Sequence, residues 1–182
     1  TISSYAFKGI SKVTKLTIPT TVTSMGEGVF SGMSSLEELT IPFVGASRSE
    51  GNYRYESLFG YVFGGSSYSD SKLTTQKYGS SSEKTYYIPT LLTKVTVTDA
   101  TAIYYGAFSN CSNIVEINLN DEITAIDGYA FYYANNLETI NLPKALQNIS
   151  TYAFYNCSKL DYVEIPDSLT TIGDSAFYNC SS

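Results

Sequence analysis

One dipeptide returns along this chain at a fixed step. Ala-Phe occurs at Ala6-Phe7, Ala107-Phe108, Ala130-Phe131, Ala153-Phe154 and Ala176-Phe177, with Val29-Phe30 and Val62-Phe63 as variants. Phe7 to Phe30 is 23 residues, and so is each step from Phe108 to Phe131, Phe154 and Phe177. Other columns keep the same interval. An aliphatic residue precedes each Phe by five: Ile2, Met25, Leu58, Ile103, Ile126, Ile149 and Ile172. A small or sulfur-bearing apolar residue follows most of them by three: Ile10, Met33, Cys111, Ala134, Cys157 and Cys180. Alternating pairs then recur: Leu16 and Ile18, Leu39 and Ile41, Val95 and Val97, Ile117 and Leu119, Ile140 and Leu142, Val163 and Ile165. A fixed period of this length marks a repeat architecture in which no unit buries its apolar face alone.

Alternation with period two predicts a short strand with one apolar face. Successive turns of a coil would pair these strands at about 4.8 Å and share one core. Proline after the strand (Pro19, Pro42, Pro143, Pro166) ends the ladder, because it has no N–H to donate. The aliphatic five before Phe predicts a second short strand. The Ala-Phe segment predicts a tight coil, with Ala where backbones crowd and Phe filling the interior. The fold class expected is mainly β, with short turns or helical coils, in a leucine-rich-repeat solenoid of about seven 23-residue turns.

The middle breaks the step. Phe30 to Phe108 is 78 residues, an excess of 32 over two turns. One turn is still legible there, since Leu58 and Phe63 keep their spacing of five and Leu92, Val95 and Val97 keep theirs. It carries about 10 extra residues between Ile41 and Leu58 and 23 between Phe63 and Leu92, with the link from Val97 to Ile103 one residue short. The expectation is a single solenoid domain over 1–182 with an irregular inserted turn at about 43–93. Because it opens in mid-pattern and shows no capping turn, it is expected to be a segment of a longer array.

The columns Leu160-x-x-Val163-x-Ile165-Pro166, Ile172 and Ala176-Phe177-x-x-Cys180 resemble the BspA-like, or Treponema-type, leucine-rich repeat. Ala153-Phe154-Tyr155-Asn156-Cys157-Ser158-x-Leu160 is close to that family's consensus. Leu58-Phe59-Gly60-Tyr61-Val62-Phe63-Gly64, with the later Thr85-Tyr86-Tyr87-Ile88-Pro89, is similar to an irregular turn that recurs there. The resemblance implies a large cell-surface protein of host-associated bacteria, with relatives in some protists. It also implies links to adhesion, host matrix proteins and co-aggregation. It implies no catalytic residues.

Composition narrows the function classes. The chain has no His, hence neither the commonest general base nor the commonest nitrogen metal ligand. Its 17 carboxylates form no pair that suggests acid and base work, and Gly64-Gly65-Ser66-Ser67 lacks the lysine of a phosphate loop. An enzyme, a cofactor and a metal are not expected. Net charge is -6 and the 11 Lys and Arg are scattered, which argues against nucleic acid. No apolar run reaches the roughly 18–20 residues of a membrane helix, so no membrane insertion is expected. Cys111, Cys157 and Cys180 share a column with Ile10, Met33 and Ala134, which predicts buried apolar slots rather than a disulfide. The glycosylation-like triplets at Asn110, Asn148, Asn156 and Asn179 read as by-products of the repeat.

Two surfaces are candidates. The outward column of the main strands reads Lys15, Glu38, Lys94, Glu116, Thr139 and Tyr162. On a rigid ladder such a face can bind, or can simply be solvated, with Lys15–Glu38 and Lys94–Glu116 as cross-strand pairs. The inserted turn holds both arginines, Arg48 and Arg54, and the tyrosines Tyr53, Tyr55 and Tyr68 among others. Tyrosine and arginine among Ser and Gly is the composition of a recognition loop. It also fits an excursion whose aromatics pack down on the solenoid. The function expected is an extracellular, cell-surface adhesion module that contacts host or bacterial surface proteins through either surface. A glycan-binding module using the inserted tyrosines and a non-binding spacer are the alternatives.

Overall fold

The computed structural model describes residues 1–181. It is a β-solenoid of about seven turns with almost no helix. In chain order the strands are β1 (Lys15–Thr17), β2 (Glu38–Ile41), β3 (Ser71–Lys77), β4 (Glu83–Pro89), β5 (Lys94–Val97), β6 (Ala102–Ile103), β7 (Glu116–Leu119), β8 (Ala125–Ile126), β9 (Thr139–Asn141), β10 (Asn148–Ile149) and β11 (Thr171–Ile172). The alternating pairs form a five-stranded parallel sheet, β1-β2-β5-β7-β9. Its inner residues Leu39, Ile41, Val95, Val97, Ile117 and Leu119 are buried. Glu38, Lys94 and Glu116 lie outward and half-buried, as the pleat requires. In the last turn only Tyr162 bridges back, to Thr139, so Val163 and Ile165 do not complete a strand.

A second parallel sheet, β11-β10-β8-β6, carries the aliphatic column Ile103, Ile126, Ile149 and Ile172, and Ile2 bridges Met25 in the same manner. Leu58 departs from that column. It is fully buried, but it lies between two 3-10 turns, Tyr55–Ser57 and Phe59–Val62. Ala46 stands in the ladder instead. Met25 N–H donates to its carbonyl at 2.7 Å, and Ala46 N–H donates to Glu56 O at 2.8 Å. The ten-residue insertion thus passes the rung to an earlier part of the chain and pushes Leu58 inward.

The Ala-Phe segments add a third ladder. Phe108, Phe131 and Phe154 each donate their N–H to the Ala carbonyl of the following turn at 2.7 Å. The rings stack beneath it, with centroids 5.4, 4.9 and 4.9 Å apart from Phe108 through Phe131 and Phe154 to Phe177. The coil is tight because the residues two before and two after each regular Phe have φ between 55° and 82°: Tyr5 and Gly9, Gly28 and Gly32, Gly106 and Asn110, Tyr129 and Tyr133, Tyr152 and Asn156, Ser175 and Asn179. Asparagine tolerates this left-handed region, which accounts for Asn110, Asn156 and Asn179 without glycosylation.

The irregular turn keeps the phenylalanine stack continuous by supplying two rings. Phe63 lies 6.0 Å from Phe30, and Phe59 lies 4.8 Å from Phe108. Phe59, rather than Phe63, donates its N–H to Ala107 O, at 2.8 Å. The longer insertion is an antiparallel hairpin, β3 with β4, that the composition did not reveal. It sits on the Ala-Phe ridge through Gln76, which is fully buried. Gln76 Oε1 accepts from Gly60 N at 2.6 Å and Nε2 donates to Ala107 O at 2.7 Å. Lys77 N donates to Ser109 Oγ at 2.8 Å, and Asn110 Nδ2 to Thr75 O at 2.6 Å. Gly106 makes the seat possible, since a Cβ there would land on the Lys77 carbonyl oxygen. One apolar core runs from Ile18 to Ala176, and the three cysteines are free, Cys111 and Cys157 fully buried within that core.

Gln76→Ala would leave the Gly60 N–H buried without a partner, at about 1–3 kcal/mol, while the Ala107 carbonyl keeps the Phe59 N–H. Urea unfolding followed by circular dichroism is expected to show a loss in that range. The same substitution at solvent-exposed Gln147 should change stability by less than about 0.5 kcal/mol.

Candidate functional site

On the main sheet, parallel register places Lys15 beside Glu38, Glu38 beside Lys94, Lys94 beside Glu116, and Glu116 beside Thr139. Charge therefore alternates across four strands. Lys15 Nζ lies 2.7 Å from Glu38 Oε1, and Lys94 Nζ lies 2.7 Å from Glu116 Oε1. Glu116 also accepts from Asn118 Nδ2 at 2.7 Å. The Lys94 hydrogen bond, with help from Asn118, holds the Glu116 carboxyl below its ordinary range, and the same pairing raises Lys94. Thr139 and Tyr162 extend the column without charge. Tyr162 is 68% exposed.

This end of the sheet opens into a groove of about 1110 Å³ lined by Glu116, Asp121, Lys144, Tyr162, Glu164 and Asp167 among others. Asp121 is spoken for, since Lys144 Nζ lies 2.6 Å from its Oδ2 and holds its carboxyl below the ordinary range. Glu164 and Asp167 have no salt-bridge partner among the described residues, so the groove is acidic at its outer end. Ile165 is 48% exposed beside them, but it belongs to the inward column that Ile41, Val97 and Leu119 fill.

The inserted residues do not converge on one loop. Arg48 pairs with Asp99, and its carbonyl accepts from Tyr104 Oη at 3.0 Å. Arg54 lies between Glu50 at 3.3 Å and Glu56 at 3.7 Å. Tyr68 donates its hydroxyl to Tyr87 O at 3.0 Å, and burial raises its pKa. Tyr55 meets Tyr78 edge-on at 6.2 Å, with Lys84 Nζ 5.3 Å above its ring. Tyr53 is 67% exposed and stacks on Tyr105 at 5.1 Å. The first insertion is fastened to the next turn, where Tyr105 N donates to Asn52 Oδ1 at 2.7 Å.

That contact leads to a surface the sequence reading did not single out. Tyr105, Tyr129, Tyr132, Tyr133, Tyr152, Tyr155 and Tyr178 join Tyr53 in an unbroken chain of ring contacts along the Ala-Phe arc. The signal was present in the columns, since Tyr132, Tyr155 and Tyr178 each follow the repeat phenylalanine. Among the described residues no group of three or more His, Cys, Asp or Glu could hold a metal ion. No described helix is long and apolar enough to cross a membrane.

The BspA type Leucine rich repeat region matches this chain in six copies, over residues 1–47 and 80–182. The chain belongs to that family. The unmatched stretch holds most of the first insertion, both 3-10 turns and β3. A leucine-rich repeat protein from Eubacterium ventriosum ATCC 27560 has a similar structure, with a TM-score of 0.62 at 24% sequence identity. The likeness covers 97% of this chain and 39% of that one, and at this identity it speaks for the fold. No curated protein matches the chain in sequence. A BspA-type repeat region with these exposed surfaces is an interaction module in its broad class.

The charged column makes a checkable electrostatic statement. A lowered Glu116 contributes stability above its unfolded pKa of about 4.3, lost as pH falls through the folded value. Both side chains are more than a third exposed, so solvent screens the pair and its contribution to stability is small. A double-mutant cycle on Lys94→Ala and Glu116→Ala should return a small favourable coupling at neutral pH. The coupling should vanish in acid below the carboxylate range.

Proposed function

We propose that this chain is a protein-binding module of a cell-surface adhesive protein, and that it engages its partner through the main sheet at the Tyr162 end. The observation that carries this reading is Tyr162 itself. It is a large, exposed aromatic bridged to Thr139 of the edge strand β9, beside an open groove whose Glu164 and Asp167 have no salt-bridge partner among the described residues. A buried aromatic anchor with a charged rim is the economical design for a protein interface. The acidic rim suits a basic patch on a host or neighbouring-cell surface protein, and attraction of this kind acts mainly on the rate of association. The paired part of the column, Lys15 through Glu116, supplies a flat polar flank. The inserted turn supports the reading less, because Arg48, Arg54 and Tyr68 already have partners within the protein.

The test is binding to a panel of immobilised extracellular-matrix proteins at low and high salt. Tyr162→Ala is expected to weaken binding by about 2 kcal/mol, roughly thirtyfold, at any salt. Glu164→Lys with Asp167→Lys should slow association at low salt and have little effect at high salt. Binding that survives all three substitutions unchanged would move the site off this face.

A further inference from the structure

Two cysteines, Cys157 and Cys180, stand on consecutive turns at the same point of the Ala-Phe arc. Phe154 and Phe177, three residues before them, stack at 4.9 Å with rings 3° from parallel, and Tyr155 and Tyr178 also stack at 4.9 Å. Asn156 and Asn179, immediately before them, have φ of 60° and 58° and are joined by Asn179 Nδ2 donating to Asn156 Oδ1 at 2.6 Å. Cys157 and Cys180 are therefore copies of one residue displaced by a single turn. A displacement of this size lies inside the roughly 4.4–6.8 Å between Cα atoms that a disulfide spans.

The two sulfurs are held alike. Cys157 Sγ donates to Phe131 O at 3.2 Å, and Cys180 Sγ donates to Phe154 O at 3.2 Å. Phe154 O also accepts from Cys157 N at 3.1 Å. The Cys180 side chain thus reaches across the seam to the same carbonyl that the Cys157 backbone holds. Hydrogen bonding with the Cys157 thiol keeps the Cys180 thiol below its ordinary value, and the same contact, with burial, raises Cys157. Cys157 is fully buried and Cys180 half-buried. Cys111 is the internal contrast. Its column continues as Ala134 in the next turn, and its sulfur lies 3.5 Å from Gln76 Nε2 beneath the hairpin. Packing alone does not ask for adjacent thiols, since the same column takes Ile10, Met33 and Ala134.

We propose that Cys157 and Cys180 are a redox-active pair that closes to a disulfide when the protein meets a small-molecule disulfide such as glutathione disulfide. Cys180 is the entry point, because it is the less buried of the two. Its thiolate attacks one sulfur of the reagent and expels the first glutathione thiolate, which takes up the proton that Cys180 gave up. A mixed disulfide then stands on Cys180. The Cys157 sulfur attacks the Cys180 sulfur, the second glutathione leaves with the Cys157 proton, and the bond between the two cysteines forms. Two protein thiols are oxidised, one glutathione disulfide is reduced to two glutathiones, and nothing else is consumed. The bond closes a ring over residues 157–180 that contains Tyr162, Glu164 and Asp167. It pins the turn carrying them to the turn before. This chemistry is independent of whether the Tyr162 face binds a partner.

The experiment is incubation of the folded chain with glutathione disulfide, then alkylation in denaturant and peptide mass mapping without reduction. The expected product is a linked pair of peptides carrying Cys157 and Cys180, lighter by two hydrogen atoms than the separate peptides, with Cys111 alkylated. The amides of Phe154 and Asn156, which donate to Ala176 O and Tyr178 O of the pinned turn, are expected to exchange about tenfold more slowly in the oxidised chain. Cys157→Ala imports the residue that Ala134 supplies one turn earlier, and is expected to stop at the mixed disulfide on Cys180. The proposal is overturned if the parent chain keeps three alkylatable thiols, stops at the mixed disulfide, links Cys111, or forms only links between chains. A link that leaves the Phe154 and Asn156 exchange rates unchanged overturns the pinning. Should Cys157→Ala fail to fold, the parent chain alone decides, by the same mapping.

Discussion

Each turn of this solenoid is held by the next through three parallel hydrogen-bonded seams, and everything else depends on their registry. The main sheet, the second sheet and the Ala-Phe arc all repeat at one step, so the phenylalanine rings fall over one another inside. No turn could bury its own Leu, Ile or Phe side chains, and each does so only against its neighbours. Registry is what the 23-residue period secures. A slip of one residue would move the whole apolar set of a strand to the outside.

The irregular turn shows how strong this demand is. It holds 32 residues more than a regular pair of turns allows, yet the stack passes through it. Phe63 completes the ring column below and Phe59 the column above. Ala46 takes the rung that Leu58 vacates. The hairpin does not dangle, because Gln76 satisfies both a buried N–H of the 3-10 turn and the Ala107 carbonyl beyond it. Small residues, Gly106 and Ser109, stand where the hairpin lies on the ridge. Tyrosines occupy the same arc once the hairpin has ended.

What could be read from the sequence was whatever repeats. The strand columns, the buried cysteine slot and the Lys15–Glu38 and Lys94–Glu116 pairs follow from period and register alone. The hairpin was not legible, because its buried face is Thr74, Gln76, Tyr86 and Ile88, half of it polar. Its setting among Ser and Gly reads as a loop. The partners of Arg48, Arg54 and Tyr68 were equally out of reach, since they depend on how the insertions fold back. The left-handed positions were written in the glycines and asparagines of two columns. Tyr129, Tyr133 and Tyr152 at the same positions disguise them. Those same substitutions are what gives the arc its aromatic surface.

A rigid ladder with two differently built faces suits a module whose work is recognition. One face is polar, charge-alternating and acidic at its end, and the other carries a run of tyrosine rings in mutual contact. Both rest on the claim that the irregular turn is an integral rung, so that the surfaces on either side of it belong to one stiff body. Amide hydrogen exchange tests that claim most directly. The account predicts that the amides of Gly60, Phe59 and Lys77 exchange as slowly as those of Phe131 and Phe154, because all five are hydrogen-bonded in or onto the stack. Exchange of the first three at the rate of an open loop, with Phe131 and Phe154 still protected, would contradict it and split the chain into two independent stacks.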